Sequence, residues 1–294
     1  MGLLGRIAEL RRRRRRFPVD AIHEIGRSSE AYLEALVRHV AEPKGWFVAT
    51  NRRVLNPETR RRREVDLILI HERRWMIIEQ KHWSGRVEVL DDGRFIQHRP
   101  KGGRQDHGAI AETIDMKAGL IASGHHDRTG SLLEAPEVAV VFSHPRMELE
   151  VHAHQTASAI WRTSDLIDRL EASDDGVANP ELVETIERCS MWEEVHLHGG
   201  QQVNGDVLDI GEVGALRDWV RNLSRSDGTI VVDVPRRWWH PFSGDFSIKA
   251  RAEDMEVSIP DRANLRMHVV GEAEPRSIEW RHIERVVLSR RHVS

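Results

Sequence analysis

A single cysteine, Cys189, among 294 residues leaves no partner for an intramolecular disulfide, and such sparing use of thiols fits a reducing compartment. No run of 18 apolar residues occurs, and no apolar segment follows the arginines near the N-terminus. Membrane insertion and secretion are therefore not expected, and a cytoplasmic location is. The 17 histidines repeat at no metal-ligand spacing, and pairs such as "GHHD" and "VHAH" lack the cysteines that would complete a zinc set. Most of them read as surface residues.

Net charge is only -3, but the two parts of the chain differ in sign. Residues 1–104 carry 24 Lys and Arg against 14 Asp and Glu, while the remainder carries 20 against 33. The basic part is concentrated in "RRRRRR", Arg11 to Arg16, within a basic arm over residues 1–20, and in "RRRR", Arg60 to Arg63. Such runs attract polyanions. Arg60, Arg61, Arg62 and Arg63 are candidate nucleic-acid contacts because they precede a hairpin rich in chemistry. The acidic remainder suits a protein partner or self-association.

With 39% hydrophobic residues, the chain can fill two cores. The order of elements over 21–190 predicts an α/β (α+β) domain, a mixed sheet flanked by helices. "RSSEAYLEALVRHV" reads as a helix capped at Ser28 or Ser29 with Glu30 in its first turn, and "GWFVAT" as a strand. "GRVEVLDDGRFIQHR" reads as a hairpin turning at "DDG". "DHGAIAETIDMKAGLIAS" reads as a helix capped at Asp106 and ended by Gly124, and "EVAVVFS" as a buried strand. Over 191–294, short strands between turn residues predict a smaller β-barrel or sandwich domain. There, Gly205-Asp206 reads as a turn, Val213 to Leu223 as a helix, and "RRWWHPF" at Arg236 to Phe242 as a barrel plug rather than a base-stacking surface.

The stretch "EVDLILIHERRWMIIEQKHWSG" carries the functional signal. Two β-branched or large apolar runs flank the charged "HERR", the pattern of strand, turn and strand. A loop centred between Glu72 and Arg73 sets Asp66 opposite Glu79, and alternation puts Lys81 on the face of Glu79 and Gln80 on the other. Directly opposed carboxylates repel, and unpaired charge in a central hairpin is expensive. Two carboxylates beside one ammonium form an oxygen cage for a hard divalent cation.

From Gly26 to about Ile121 the chain resembles the nuclease-related domain (NERD) family of the PD-(D/E)xK nuclease superfamily, through "GRSSEAYLEAL", "EVDLILI" and "WMIIEQKHWSGRV". The resemblance implies a restriction-endonuclease-like core that hydrolyses phosphodiester bonds of nucleic acid, DNA ahead of RNA, with Mg²⁺ or Mn²⁺. By position it makes Asp66 and Glu79 metal ligands, Lys81 the catalytic lysine and Glu30 the accompanying helix acid. Gln80 stands where the family usually has an apolar residue, and its main-chain carbonyl is a third candidate ligand. Gln105 and Lys117 are candidates for the supporting residue of a later helix. The alternative reading is a nucleic-acid-binding or scaffolding module, with weak or no catalysis, in a larger DNA-processing or phage-defence assembly.

Overall fold

The computed structural model describes residues 21–59, 62–152, 159–211, 229–234, 247–252, 255–260 and 263–289. The chain divides into two compact units, one of which is Ile25–Cys189. Both are sheet-based, and with four helices among the described residues the fold is mixed α+β. No helix among the described residues is long and apolar enough to cross a membrane.

The unit Ile25–Cys189 is built on a mixed sheet of β1 (Phe47–Leu55), β2 (Arg62–His71), β3 (Arg74–Lys81), β7 (Glu137–Phe142) and β9 (Ala159–Arg162), in that order. β1, β2 and β3 run antiparallel, whereas β3–β7 and β7–β9 are parallel. Runs such as "LILI" and "WMII" are continuous rather than alternating because both faces are covered. On one face Ile68, Ile70, Ile77 and Val140 pack with Ile114 of α2 (Ile110–Thr129) and Ile186 of α4 (Pro180–Glu187). On the other, Leu67, Leu69, Ile78 and Val141 pack with Leu33 of α1 (Ala21–Ala41) and Leu166 of α3 (Thr163–Glu171). A second sheet, ordered β6 (Arg104–Ala109), β5 (Arg94–His98), β4 (Gly85–Val89) and β8 (Met147–Val151), adds Val87, Val89 and Phe95 to the first of these cores.

The hairpin from β2 to β3 keeps the expected register, with Leu67 opposite Ile78, Ile70 opposite Trp75 and His71 opposite Arg74. Its two-residue loop lacks Gly or Asn, so Glu72 itself takes a positive φ of 52°. Its N–H is held by the carbonyl of Val177 at 3.0 Å.

Two helix starts differ from the reading by caps. α1 already runs from Ala21, so Ser28 and Ser29 lie inside it and Glu30 is beyond its first turn. Capping preference is a weak local signal, and nothing in "AIHEIG" forces a break. Asp106 belongs to β6, where its Oδ1 accepts from the Gly108 N–H at 2.9 Å. α2 starts at Ile110, passes through Gly124 and ends at Gly130, whose φ is 73°.

From Ser190 onward the described strands form one eight-stranded antiparallel sheet, curled into a half-barrel. Its order is β14 (Met255–Pro260), β13 (Ser247–Ala252), β12 (Thr229–Asp233), β17 (Ile283–Ser289), β10 (Glu193–Leu197), β11 (Gln202–Asp209), β15 (Asn264–Val269) and β16 (Arg276–Glu279). The core contains Val195, Leu197, Val207, Met267, Trp280 and Val286. Gly205 is not in a turn but inside β11, where a Cβ would come within 2.1 Å of the His268 carbonyl. Glycine here permits close backbone approach across the ladder. The run "ERVVLS" near the C-terminus supplies much of β17, which lies between β12 and β10.

Most described histidines keep some exposure, as their spacing suggested, while His71, His125, His198 and His282 are buried. The arm Arg11 to Arg16, the pair Arg60 and Arg61, the stretch Val213 to Leu223 and the cluster Arg236 to Phe242 lie outside the described residues.

Candidate active site

Asp66 sits where three strands stop behaving as one ladder. On its β1 side, Thr50 pairs with Leu67 and Arg52 with Val65, but between them Asn51 adopts a φ of 52°. On its β3 side the pairing ends at Leu67 and Ile78. β3 then continues with β7 alone, setting Glu79 against Val140, Gln80 against Val141 and Lys81 against Phe142. The Asp66 side chain fills the gap, and its Oδ2 accepts from the Gln80 N–H at 2.8 Å. A carboxylate thus replaces a ladder carbonyl at the fork.

Alternation along β3 distributes the polar side chains as expected. Glu79 faces α2, where its Oε2 accepts from Lys117 Nζ at 2.6 Å, while its Oε1 accepts from Lys81 Nζ at 2.6 Å. Gln80 faces α1, and its Nε2 donates to the Ser29 carbonyl at 3.1 Å and to Ser143 Oγ at 3.0 Å. Glu30 lines a small cleft with Glu34, Thr50, Asn51, Asp66 and Gln80. Its charge also reaches Lys81.

Enclosure makes these charges matter, since side-chain exposure is only 15% for Glu79, 21% for Lys81 and 7% for Lys117. Burial and the neighbouring Glu79 push the Asp66 carboxyl up to about 7, against the opposing pull of Lys81, Lys117 and the Gln80 N–H. Burial opposes ionisation of Glu79 too, but Lys81 and Lys117 outweigh it and hold that carboxyl below its ordinary range. Burial likewise disfavours the Lys81 ammonium, which Glu79 and then Asp66 raise above its ordinary value. One carboxylate is fixed as an anion, and its neighbour is poised to gain or lose a proton.

Of the two supporting candidates, only Lys117 joins this group. It occupies the buried face of α2 with Ile110, Ile114 and Ile121, and that helical spacing is the local signal that it points inward. Gln105 is exposed on β6 and accepts from Arg99, so it has no contact with Asp66 or Glu79. Ser143, just beyond β7, is the residue that sequence reasoning missed. Arg62 and Arg63 begin β2, Arg63 exposed and Arg62 half-buried. Trp83, two residues after Lys81, stacks on His107 with ring centres 3.7 Å apart.

Residues 25–122 match the family model of the nuclease-related domain. The match covers a third of the chain. The family's general context is the PD-(D/E)xK superfamily, and the matched residues take in β1 to β6 and most of α2, including Asp66, Glu79, Lys81 and Lys117. Neither curated proteins nor solved structures give a significant match to the chain.

The donor set suits a hard divalent cation. No three His, Cys, Asp or Glu side chains form a metal-binding group among the described residues. Two carboxylates completed by water and substrate oxygens are, however, the usual provision for Mg²⁺. Burial and the neighbouring Glu79 keep the Asp66 carboxyl raised even though Lys81 and Lys117 both pull it down.

Proposed function

We propose that the nuclease-related unit is a metal-dependent nuclease that hydrolyses phosphodiester bonds, with DNA as the first substrate to test. The observation that supports it is the convergence of Asp66, Glu79 and Lys81 at the strand fork, backed by Lys117. A bound Mg²⁺ or Mn²⁺ would supply polarisation of a phosphoryl oxygen and a water of lowered pKa. Asp66 and Glu79 would hold it, with Glu79 releasing one of its two lysine contacts. Lys81, with three N–H donors on one ammonium, would turn to the scissile phosphate and stabilise charge building on its oxygens. Lys117 would remain on Glu79 and keep that carboxylate ionised. Glu30 would contribute a further acid across the cleft. Arg62 and Arg63, with Arg60 and Arg61 before them, would hold backbone phosphates, which positions a strand without reading its sequence.

The test is incubation of the purified protein with plasmid, linear DNA and RNA in Mg²⁺, Mn²⁺ or chelator. Lys81→Ala should cost about 3–4 kcal/mol of transition-state stabilisation, roughly 10²- to 10³-fold in rate. Undiminished cutting by folded Lys81→Ala protein refutes the assignment. Arg62→Ala and Arg63→Ala should each lower the salt slope of duplex binding by about 0.9 if each residue makes a phosphate contact. A binding module without catalysis has one observation in its favour, that both Glu79 oxygens are already occupied by lysines. It predicts salt-sensitive nucleic-acid binding with no cleavage in either metal.

A further inference from the structure

Gln80 lies between Glu79 and Lys81 in β3, yet its side chain bonds to Ser29 and Ser143 instead. Its main-chain N–H holds Asp66, its backbone continues the ladder to β7, and its side chain crosses to the other face of the sheet. There the orientation of the carboxamide is settled by its partner. The Ser29 carbonyl can only accept, so the nitrogen must face it. The remaining N–H reaches Ser143 Oγ at 3.0 Å, which leaves the serine hydroxyl free to donate to His82 Nδ1, also at 3.0 Å. Ser143 is itself tied to β3 through its N–H, which donates to the Lys81 carbonyl at 3.1 Å. Ser29 immediately precedes Glu30, which lines the cleft together with Asp66 and Gln80.

We infer that Gln80 is a positioning residue: its carboxamide, braced by Ser143, clamps the Glu30 turn of α1 over the fork and fixes Glu30 relative to Asp66, Glu79 and Lys81. A leucine or valine at this position could fill the same space on the α1 face, where Leu67, Ile78 and Val141 pack. It could not hold a helix carbonyl. The clamp replaces a non-directional contact with two directional ones, so it sets where the acid stands rather than merely how tightly the helix packs. This role rests on the nuclease reading, because only there does the exact place of Glu30 have a chemical consequence.

Gln80→Leu removes both donors while keeping an apolar filling. In the metal-free protein, hydrogen exchange of the amides over residues 28–34 should accelerate relative to wild type, while those of β2 and β3 keep their protection. Unchanged protection of that turn overturns the clamp whether or not the protein is a nuclease. In cleavage assays, Gln80→Leu should raise the Mn²⁺ concentration for half-maximal rate by about 10- to 100-fold, the usual cost of losing a residue that orients a metal site. The loss should appear more in that concentration than in the rate at saturation. Ser143→Ala should reproduce part of the effect and Ser143→Thr little of it. Gln80→Leu combined with Glu30→Gln should be no worse than Glu30→Gln alone, since the two changes disable one device. Full additivity of that pair overturns positioning through Glu30. Faster exchange in the turn together with a wild-type protein inert in every metal supports the clamp and refutes the nuclease reading instead.

Discussion

In the half-barrel, Glu256, Arg251, Asp233, Arg285, His196 and Gln202 stand directly opposite one another across six neighbouring strands. In the nuclease-related unit, Asp66, Glu79, Lys81 and Lys117 meet between a sheet and the helices that cover it. The residue types are similar, and the pairs are equally short, 2.7 Å for Arg285 with Asp233 and 2.6 Å for Lys117 with Glu79. Their surroundings differ. The half-barrel row is exposed or half-buried on a sheet whose other face holds the core, so water already solvates each charge. Exposed pairs of that kind contribute about 0–1 kcal/mol. At the fork, desolvation turns each charge into a debt that only its neighbours or a cation can offset. Distance alone therefore does not distinguish a decorative ion pair from one that shapes a site.

The comparison can be broken most strongly at Glu79. Glu79→Ala leaves two enclosed ammonium groups facing Asp66, and urea denaturation at neutral pH should show a loss of about 3 kcal/mol, the low end for breaking a buried pair because Asp66 can ionise in compensation. A loss below about 1 kcal/mol would mean that the fork is as well solvated as the half-barrel row. Adding Mn²⁺ or Mg²⁺ should stabilise the wild-type protein by about 2.7 kcal/mol when free metal is about 100 times its dissociation constant. Asp66→Asn should blunt that response, and thermal melts with and without metal check both.

A smaller and more specific effect concerns pH. Because Asp66 is raised to about 7 in the fold, the folded state holds a proton that the unfolded chain has released above about pH 4. Its contribution is complete below that value and is lost as pH rises through 7, with a slope of no more than about 1.4 kcal/mol per pH unit. Glu79, shifted downward, has the opposite sign and acts below its unfolded value, outside this window. Asp66→Asn should flatten the dependence of stability between pH 5 and 7, measured by denaturation in the absence of metal.

The closed end of the same hairpin gives a further contrast. His71 is buried and stacks on Trp46, and neither ring nitrogen has a hydrogen-bond partner among the described residues. His71→Leu should be neutral or stabilising by up to about 1 kcal/mol, since it removes an unmet polar demand. The smallest change should be Asp233→Asn in the half-barrel, within about 1 kcal/mol. A loss there equal to that of Glu79→Ala would remove the distinction between the two regions.

Much of the fork was legible because the information is local. A period of two along "DLILI" and "WMIIEQK" fixes which side chains share a face, and the turn fixes which residue meets which, so Asp66, Glu79 and Lys81 could be grouped before any fold was known. The motif surrounding them also carries the family resemblance. What failed was local punctuation read without its surroundings. Ser28 and Asp106 resemble caps, Gly124 a stop and Gly205 a turn, yet each lies inside an element whose tertiary contacts outweigh a propensity of about 1 kcal/mol or less.

The sequence by itself determined the two strands of the hairpin, their facing residues and the carboxylate pair, because these follow from backbone alternation and turn register within about twenty positions. Only the tertiary structure decided that Lys117 completes Glu79, that Gln80 reaches both Ser29 and Ser143, and that a late strand enters the middle of the half-barrel. These contacts join residues 38, 51 and 63 positions apart at the fork. No periodicity spans such separations. They form because burying two sheet faces leaves each enclosed polar group to be matched by whatever packing brings beside it.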